Sequence, residues 1–255
     1  EPTRAAVLGE FGGLGFKVDG HTWAGKTWGY RGMPSLERLT QQYIKLLRGV
    51  FDLEASPGLS AAVYTQTTDV EYEGNGLLTY DREVVKMPID KVAAANRGQF
   101  PPLPKMLTVV PAAQSEAITW RYTTDKPGAD WFKPSFNAAL WKEGPAGFGT
   151  RGTPGAVVRT EWNTGDIWLR REFALPDAKT EILNLLWHHD EDVEVYLNGI
   201  LAAKAGGYTS GYEDTDLAPE AQAALKPGSN VLAVHCHQTR GGQYIDVGLV
   251  KFSLP

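Results

Sequence analysis

The stretch VEVYLNGI, residues 193–200, decides the fold of the second half of the chain. Apolar residues alternate with polar or amphipathic ones along it, which is the period of a strand with one buried face. Asn198 and Gly199 then supply the two positions of positive φ that a tight hairpin turn needs. The stretch therefore predicts a β-hairpin, and a hairpin favours an antiparallel sheet around it.

The same alternation recurs on both sides of this hairpin. It predicts six strands: Ile118–Thr124, Ile167–Leu175, Glu181–His188, Asp192–Leu197, Asn230–Gln238 and Tyr244–Phe252. Between them, no helical pattern is longer than that of Pro219–Leu225. Many short strands separated by turn residues predict an antiparallel β-sandwich.

The first part of the chain has a different pattern, in which apolar residues run continuously. Arg4–Leu8 and Leu59–Thr65 are runs of this kind and are predicted as strands buried on both faces. Between them, a glycine-rich turn over residues 9–15 precedes a helix that is capped by Ser35 and expected to end at Gly49. This order predicts a βαβ unit with parallel strands.

A short closing helix over Ile89–Asn96 and a proline-rich run near residue 100 come next. The sequence thus predicts a partial α/β segment over residues 1–97, a proline-rich linker over 98–113 and a β-sandwich over 114–255. Two parallel strands leave their sheet edges open. We therefore expect the first segment to belong to a larger α/β domain or to dock tightly on the remainder of the chain.

Composition limits the class of partner. The 255 residues are 42% hydrophobic, and 25 Lys and Arg against 30 Asp and Glu give a net charge of −5. No basic field attracts a phosphate backbone or an anionic bilayer, so neither nucleic acid nor a membrane is an expected partner. The single cysteine, Cys236, excludes an internal disulfide and a multi-cysteine zinc cluster. It does not fix the compartment, although a periplasmic or secreted bacterial location is favoured over a cytoplasmic one.

Glu10 is the first candidate for chemistry. It follows the first predicted strand in a glycine-lined opening, and α/β-barrel enzymes place catalytic groups at the carboxyl ends of such strands. The alternative is a loop carboxylate that caps a nearby backbone turn. A dinucleotide site is disfavoured because glycines at positions 9, 12, 13 and 15 do not have the G-x-G-x-x-G spacing.

Several ordered motifs resemble a known family. Val7–Gly13 is similar to the seventh-strand motif of glycoside hydrolase family two, usually Ser-Glu-Tyr/Phe-Gly with Glu as the nucleophile, although Gly9 stands here in place of the serine. The similarity continues through Trp28–Tyr30, the helix after Ser35, and the segments Gly58–Glu71 and Asn75–Arg82. It covers roughly residues 4–90 and resembles the last strands of that family's catalytic barrel.

The second half resembles galactose-binding-like jelly-roll domains, which accompany many family-two enzymes. The resemblance rests on Trp168–Pro176, Asp192–Gly199 and Leu225–Val234, taken in this order. Together the two resemblances imply an α+β multidomain protein, in which a partial (β/α) barrel segment precedes an antiparallel β-sandwich of the jelly-roll type.

The family resemblance implies roles for residues of the first segment. Glu10 would attack the anomeric carbon in a retaining mechanism. The residues expected around the sugar are Tyr64 as an aromatic wall, Gln66, Asp69 and Asn75 as partners of sugar hydroxyls, and His21 and Trp23 at the mouth of the site. For His21 and Trp23, ordinary loop packing is the alternative.

The chain departs from the family in one essential group. The family supplies its acid/base carboxyl in an Asn-Glu dipeptide on the fourth barrel strand, and this sequence has no Asn-Glu. We therefore expect the chain to be inactive alone, with the missing barrel portion or another chain as a partner. The alternative is a non-catalytic carbohydrate-binding or architectural module.

Aromatic residues of the sandwich are candidates for carbohydrate binding, because aromatic rings stack on sugar rings. They are Trp131, Trp141, Trp162 and Tyr208, with core or interdomain packing as the alternative. His188 or His189 could form a metal site with His235 and His237 if their strands are adjacent, or these histidines could simply be hydrogen-bonded. No cofactor is expected beyond a structural calcium ion, for which Asp190, Glu191 and Asp246 are the candidate ligands.

Overall fold

The computed structural model describes residues 4–33, 35–56, 58–176 and 182–253. The chain divides into two compact units, Glu1–Pro102 and Leu103–Pro255. Within the described ranges, no helix combines the length and the apolarity that crossing a bilayer requires.

The described residues of the first unit form two small parallel sheets and two helices. Its elements in chain order are β1 (Ala6–Gly12), β2 (Leu14–Gly15), β3 (Arg31–Gly32), α1 (Leu36–Ala55), β4 (Leu59–Thr65) and α2 (Ile89–Asn96). β1 pairs with β4 in parallel, and β2 pairs with β3 in parallel in a second sheet. The βαβ unit is therefore present, and the described residues of this unit contain no closed barrel.

The helix α1 packs one face into the core of the first unit. The Ser35 side chain caps it by accepting a hydrogen bond from the Arg38 backbone N–H at 3.1 Å. Leu39, Tyr43 and Leu47, four residues apart, are its buried stripe. The expected end at Gly49 is wrong. The helix continues to Ala55, because one glycine costs only about 1 kcal/mol in a helix interior and the next turn still packs Phe51 on Phe100, with ring centroids 5.6 Å apart.

The strand β1 is longer than its sequence predicts. Instead of ending at Leu8, it runs to Gly12, with an irregularity in the pairing between Leu8 and Phe11. Phe11 lies beside Tyr64 on β4, and their rings meet edge to face with centroids 5.4 Å apart. This contact extends the ladder past the glycine, so Glu10 lies within the strand and not in a following loop.

The described residues of the second unit form twelve strands and a short helix. They are β5 (Lys105–Val110), β6 (Thr119–Thr123), β7 (Lys142–Pro145), β8 (Phe148–Gly149), β9 (Thr160–Glu161), β10 (Asp166–Leu175), β11 (Asn184–Asp190), β12 (Asp192–Leu197), β13 (Ile200–Ala205), β14 (Glu213–Asp216), α3 (Pro219–Ala223), β15 (Gly228–His237) and β16 (Tyr244–Ser253).

These strands form two sheets that share one core. One has the order β13-β12-β15-β10-β6-β7; the other has the order β14-β11-β16-β8-β9, with β5 added beside β16. All pairs are antiparallel except β8 with β9. Leu169 and Val195 of the first sheet and Leu185 and Val247 of the second belong to the same buried cluster. The predicted β-sandwich is confirmed.

The six predicted strands of the sandwich all occur, with ends shifted by a few residues. Glu181, the predicted start of one of them, lies outside the described residues. The segment predicted as a linker contains β5, which pairs with β16 from Lys105 to Val110. Its apolar residues follow the prolines directly, and the ladder to β16 makes them part of the sheet.

The predicted hairpin between β12 and β13 turns at Asn198, where φ is +50°. The side chain of Asn198 donates to the carbonyl of Ala224 and to Oδ1 of Asn230, and it accepts from the N–H of Val231, each at 2.8 Å. One amide thus joins the turn to the residue that ends α3 and to β15.

We expect Asn198→Ala to lower the free energy of unfolding of the second unit by about 2–4 kcal/mol. The substitution strips partners from buried backbone groups and forces alanine into the left-handed region. Denaturant unfolding followed by tryptophan fluorescence measures the loss. Asn163→Ala, at an exposed loop position, is the matched control and should change the value by less than about 0.5 kcal/mol. Equal values for the two variants would contradict the role of this turn.

Candidate functional site

The site residues of the first unit gather at one edge of its parallel sheet. Gly12 lies beside Thr65, so β1 and β4 end together and the loops that follow them start side by side. Glu10 is exposed and lies two residues before the end of β1, while Gln66 is the first residue after β4. The edge thus combines a solvent-accessible carboxylate with the polar loop that follows β4.

Three polar side chains of that loop form a cluster. Nε2 of Gln66 donates to Oδ1 of Asn75 at 2.6 Å and to Oε2 of Glu73 at 3.3 Å. Asn75 is fully buried, and its Nδ2 has no hydrogen-bond partner among the described residues. Glu73 does not stand out in the sequence, and its place two residues before Asn75 is the one signal that could have found it. We call Gln66, Glu73 and Asn75 the amide cluster.

A buried ion pair holds this loop in shape. Nζ of Lys86 lies 2.6 Å from Oδ1 of Asp69, and their side chains are 0% and 4% exposed. The same carboxylate accepts from the N–H of Gly76 at 2.7 Å, and Lys86 also donates to the carbonyl of Gly74 at 3.0 Å. Burial lowers the pKa of Lys86, and the Asp69 carboxylate opposes that shift. Asp69 is a predicted sugar-binding residue, but the contacts shown for it are with Lys86 and Gly76, and they hold the loop in shape.

Tyr64 lies on the side of the sheet that faces α1. Its ring contacts Phe11 and Tyr43 edge to face, with centroids 5.4 and 5.0 Å away. Burial raises the pKa of its phenol. The structure therefore shows Tyr64 as a packing residue between sheet and helix, and its role as a wall of the sugar site stays a prediction.

His21 and Trp23 lie between β2 and β3 and contact the segment that follows β4. Nδ1 of His21 lies 2.7 Å from Oδ2 of Asp81, and the Trp23 ring meets Tyr80 with centroids 4.7 Å apart. Hydrogen bonds from the Thr79 hydroxyl, the Glu83 N–H and His21 lower the pKa of Asp81 to about 2. Potential ligand atoms of His21, Asp81 and Glu83 lie within 4.8 Å of one another, close enough to coordinate one ion.

The aromatic candidates of the second unit differ in exposure. Trp131 and Trp162 are buried, and Trp141 is half-buried against Phe136. Nε1 of Trp162 donates to Oγ1 of Thr164 at 3.0 Å, inside the fold. Tyr208 is 72% exposed, so it is the candidate most open to a ligand.

The predicted metal site that joins His188 or His189 to His235 and His237 is wrong, because it requires adjacent strands. His188 and His189 lie on β11, and His235 and His237 lie on β15, but the two strands belong to different sheets. His235 Nε2 and His237 Nδ1 instead both lie within 2.9 Å of Oδ1 of one carboxylate, that of Asp166. Local sequence cannot show which sheet a strand joins, and this set of ligands depended on that.

Asp246, a candidate calcium ligand, is buried in a network of neutral donors. Its Oδ2 accepts from the hydroxyl of Tyr212 at 2.7 Å and from the N–H of Ala113 at 2.6 Å. Burial raises the pKa of Asp246 to about 6, although both of these hydrogen bonds oppose the shift. Asp190, a second candidate, also has a pKa raised by burial.

Comparisons with known proteins give partial similarities. A scan against protein-family models and a search of curated proteins find no match. One matching solved structure is a beta-glycosidase from Bacteroides vulgatus, with 17% sequence identity and a TM-score of 0.39 over 57% of this chain and 20% of that one. A beta-glucuronidase from Bacteroides uniformis has 19% identity and a TM-score of 0.40 over 57% of this chain and 18% of that one. A beta-glucuronidase from an uncultured Clostridium species has 14% identity and a TM-score of 0.39 over 60% of this chain and 30% of that one. The chain thus spans less than a third of each structure.

We expect Asp69→Asn to destabilise the loop after β4 by about 3–5 kcal/mol, since it leaves the buried Lys86 charge unpaired. Hydrogen exchange of residues 66–87 measures this. Adding Lys86→Met should recover most of the loss. Asp130→Asn is the control, because its ion pair with Lys133 is exposed and should be worth at most about 1 kcal/mol. Unchanged exchange in Asp69→Asn would contradict the bracing role.

We expect Asp246 to make the second unit less stable as the pH rises. Its pKa is about 6 in the folded protein against an ordinary value of 3.8, so between these values the folded state holds a proton that the unfolded chain releases. The contribution of Asp246 to the free energy of unfolding is fully present below about pH 4 and is lost as the pH rises to about 6. Asp246→Asn should lack this fall in denaturant unfolding. The same slope in both proteins would contradict the shift.

Proposed function

We propose that the chain is the carboxyl-terminal portion of a retaining glycoside hydrolase of the family-two type, with Glu10 as its nucleophile. The observation that carries this proposal is the position of Glu10. It is an exposed carboxylate near the carboxyl end of a strand in a parallel pair, beside the loop that holds the amide cluster. This is the edge at which α/β-barrel enzymes bind substrate, and the motif around Glu10 resembles the family's nucleophile motif.

The chemistry assigns a separate task to each group. The Glu10 carboxylate attacks the anomeric carbon, the bond to the leaving oxygen breaks, and a glycosyl ester forms. An acid must protonate the leaving oxygen, and the same group then takes a proton from the water that hydrolyses the ester. Gln66 and Asn75 are the proposed partners of sugar hydroxyls. Asn75 is fully buried, so a contact between its unpartnered Nδ2 and a sugar requires the loop to open.

The acid/base carboxyl is proposed to come from polypeptide beyond these residues. Retaining enzymes hold it about 5–5.5 Å from the nucleophile, and the sequence has no Asn-Glu dipeptide of the family's kind. Val7 and Val63 on β1 and β4 are 57% and 54% exposed, whereas parallel strands are normally covered on both faces. Further strands would cover them and bring the second carboxyl, so the chain alone is expected to be inactive.

A second candidate function is non-catalytic carbohydrate binding by the sandwich. The observation that favours it is the 72% exposure of Tyr208, whose ring is available to stack on a sugar. Screening the chain against glycans, with Tyr208→Ala as the variant, tests it. Binding that Tyr208→Ala does not weaken would contradict Tyr208 as the contact.

We expect Glu10→Gln to lower kcat roughly a thousandfold or more in the enzyme completed by its remaining barrel strands, because the amide cannot act as the nucleophile. Hydrolysis of a nitrophenyl glycoside measures kcat. Glu54→Gln, an exposed position near the end of α1, is the matched control and should leave kcat unchanged. Full activity of Glu10→Gln would exclude Glu10 as the nucleophile.

A further inference from the structure

Three potential metal ligands of the first unit converge from two separate segments. His21 lies on the loop between β2 and β3, and Asp81 and Glu83 lie on a turn over residues 79–84 in the segment that follows β4. Nδ1 of His21 is 2.7 Å from Oδ2 of Asp81 and 3.9 Å from Oε2 of Glu83. We call these three residues the histidine–carboxylate cluster.

The spacing of the three ligand atoms is close to that around one small ion. Bonds of about 2.0–2.2 Å to a tetrahedral zinc ion place neighbouring ligand atoms about 3.3–3.6 Å apart. The distance from His21 to Asp81 is shorter than this and that to Glu83 is longer, each by less than about 1 Å. Small rotations of exposed side chains therefore suffice for all three atoms to contact one ion.

Hydrogen bonds orient the Asp81 carboxylate toward His21. The hydroxyl of Thr79, which is fully buried, donates to Oδ1 of Asp81 at 2.7 Å, and the N–H of Glu83 donates to the same atom at 3.1 Å. The N–H of Val84 in turn donates to the Thr79 hydroxyl at 3.1 Å. Oδ1 is thus held by the turn while Oδ2 faces His21, and such second contacts of a ligating carboxylate strengthen metal binding.

The ligand types select the class of metal. Two carboxylates offset the charge of a divalent cation, and a neutral imidazole suits zinc and its neighbours among the transition metals. Calcium and magnesium prefer ligand sets made of oxygen alone. The side chains of His21, Asp81 and Glu83 are 29%, 34% and 73% exposed, so an ion can enter from solvent and keep a water molecule as a further ligand.

We propose that the histidine–carboxylate cluster binds one divalent ion of the zinc class, which ties the loop between β2 and β3 to the turn over residues 79–84. The contact between the rings of Trp23 and Tyr80, with centroids 4.7 Å apart, already joins the same two segments. The proposal concerns metal binding and does not rest on Glu10. It is tested with the metal alone, so its failure and the failure of the hydrolase proposal are separable.

Titration calorimetry of the whole chain, without an affinity tag and after treatment with a chelator, tests the proposal with Zn²⁺, Ca²⁺ and Mg²⁺. We expect one Zn²⁺ to bind per chain, at least about a hundredfold more tightly than Ca²⁺ or Mg²⁺. His21→Gln should weaken zinc binding about a hundredfold, because it removes the nitrogen ligand. Glu83→Gln should weaken it about tenfold, because it removes the most exposed ligand and leaves the other two in place.

The matched control is His237→Gln, at an exposed histidine of the second unit, which should leave the zinc affinity unchanged. Unfolding midpoints measured without metal show whether the variants are folded. Glu83 is on the surface, so Glu83→Gln tests the cluster even where His21→Gln lowers the midpoint.

Hydrogen exchange with and without Zn²⁺ locates the ion. Exchange should slow at least about twofold in residues 16–30 and 79–84 and stay unchanged in β15, because the ion orders only the segments that it joins. Absence of saturable zinc binding, or Ca²⁺ binding as tight as Zn²⁺, would overturn the proposal. Equal losses in His21→Gln and His237→Gln, or unchanged exchange in both segments, would overturn it as well.

Discussion

The parallel pairing of β1 with β4 is the constraint on which the candidate site depends. Because the two strands run in the same direction and end together at Gly12 and Thr65, their following loops start at one edge of the sheet. A parallel pair also requires cover on both faces, and here α1 packs on one face while Val7 and Val63 are more than half exposed. The same pairing that positions Glu10 thus leaves Val7 and Val63 exposed on one face of the strands.

The two units are stabilised in different ways. The sandwich closes its core between two sheets, and residues from both belong to one buried cluster. The first unit instead depends on local devices such as the capped helix and the Asp69–Lys86 pair. This contrast is consistent with the proposal that the activity needs further polypeptide around the first unit.

Local patterns in the sequence predicted most elements but few of their partners. The alternation of apolar and polar residues and the continuous apolar runs identify the strands, and Asn198-Gly199 indicates the hairpin. These predictions are possible because each feature depends on only a few neighbouring residues. The histidine hypothesis failed since β11 and β15 enter different sheets. The burial of Asp69 depends on Lys86, which is 17 residues away along the chain. The spacing of apolar and polar residues within one element cannot predict an ion pair between residues so far apart.

The central claim is that Glu10 forms the covalent bond to the sugar. The direct measurement is peptide mass spectrometry after treating the completed enzyme with an activated 2-deoxy-2-fluoro glycoside, which slows hydrolysis of the glycosyl ester. We predict that the added sugar mass is found on the peptide containing Glu10 and maps to its carboxylate. A label on another carboxylate, in an enzyme that turns over the parent glycoside, would contradict the claim.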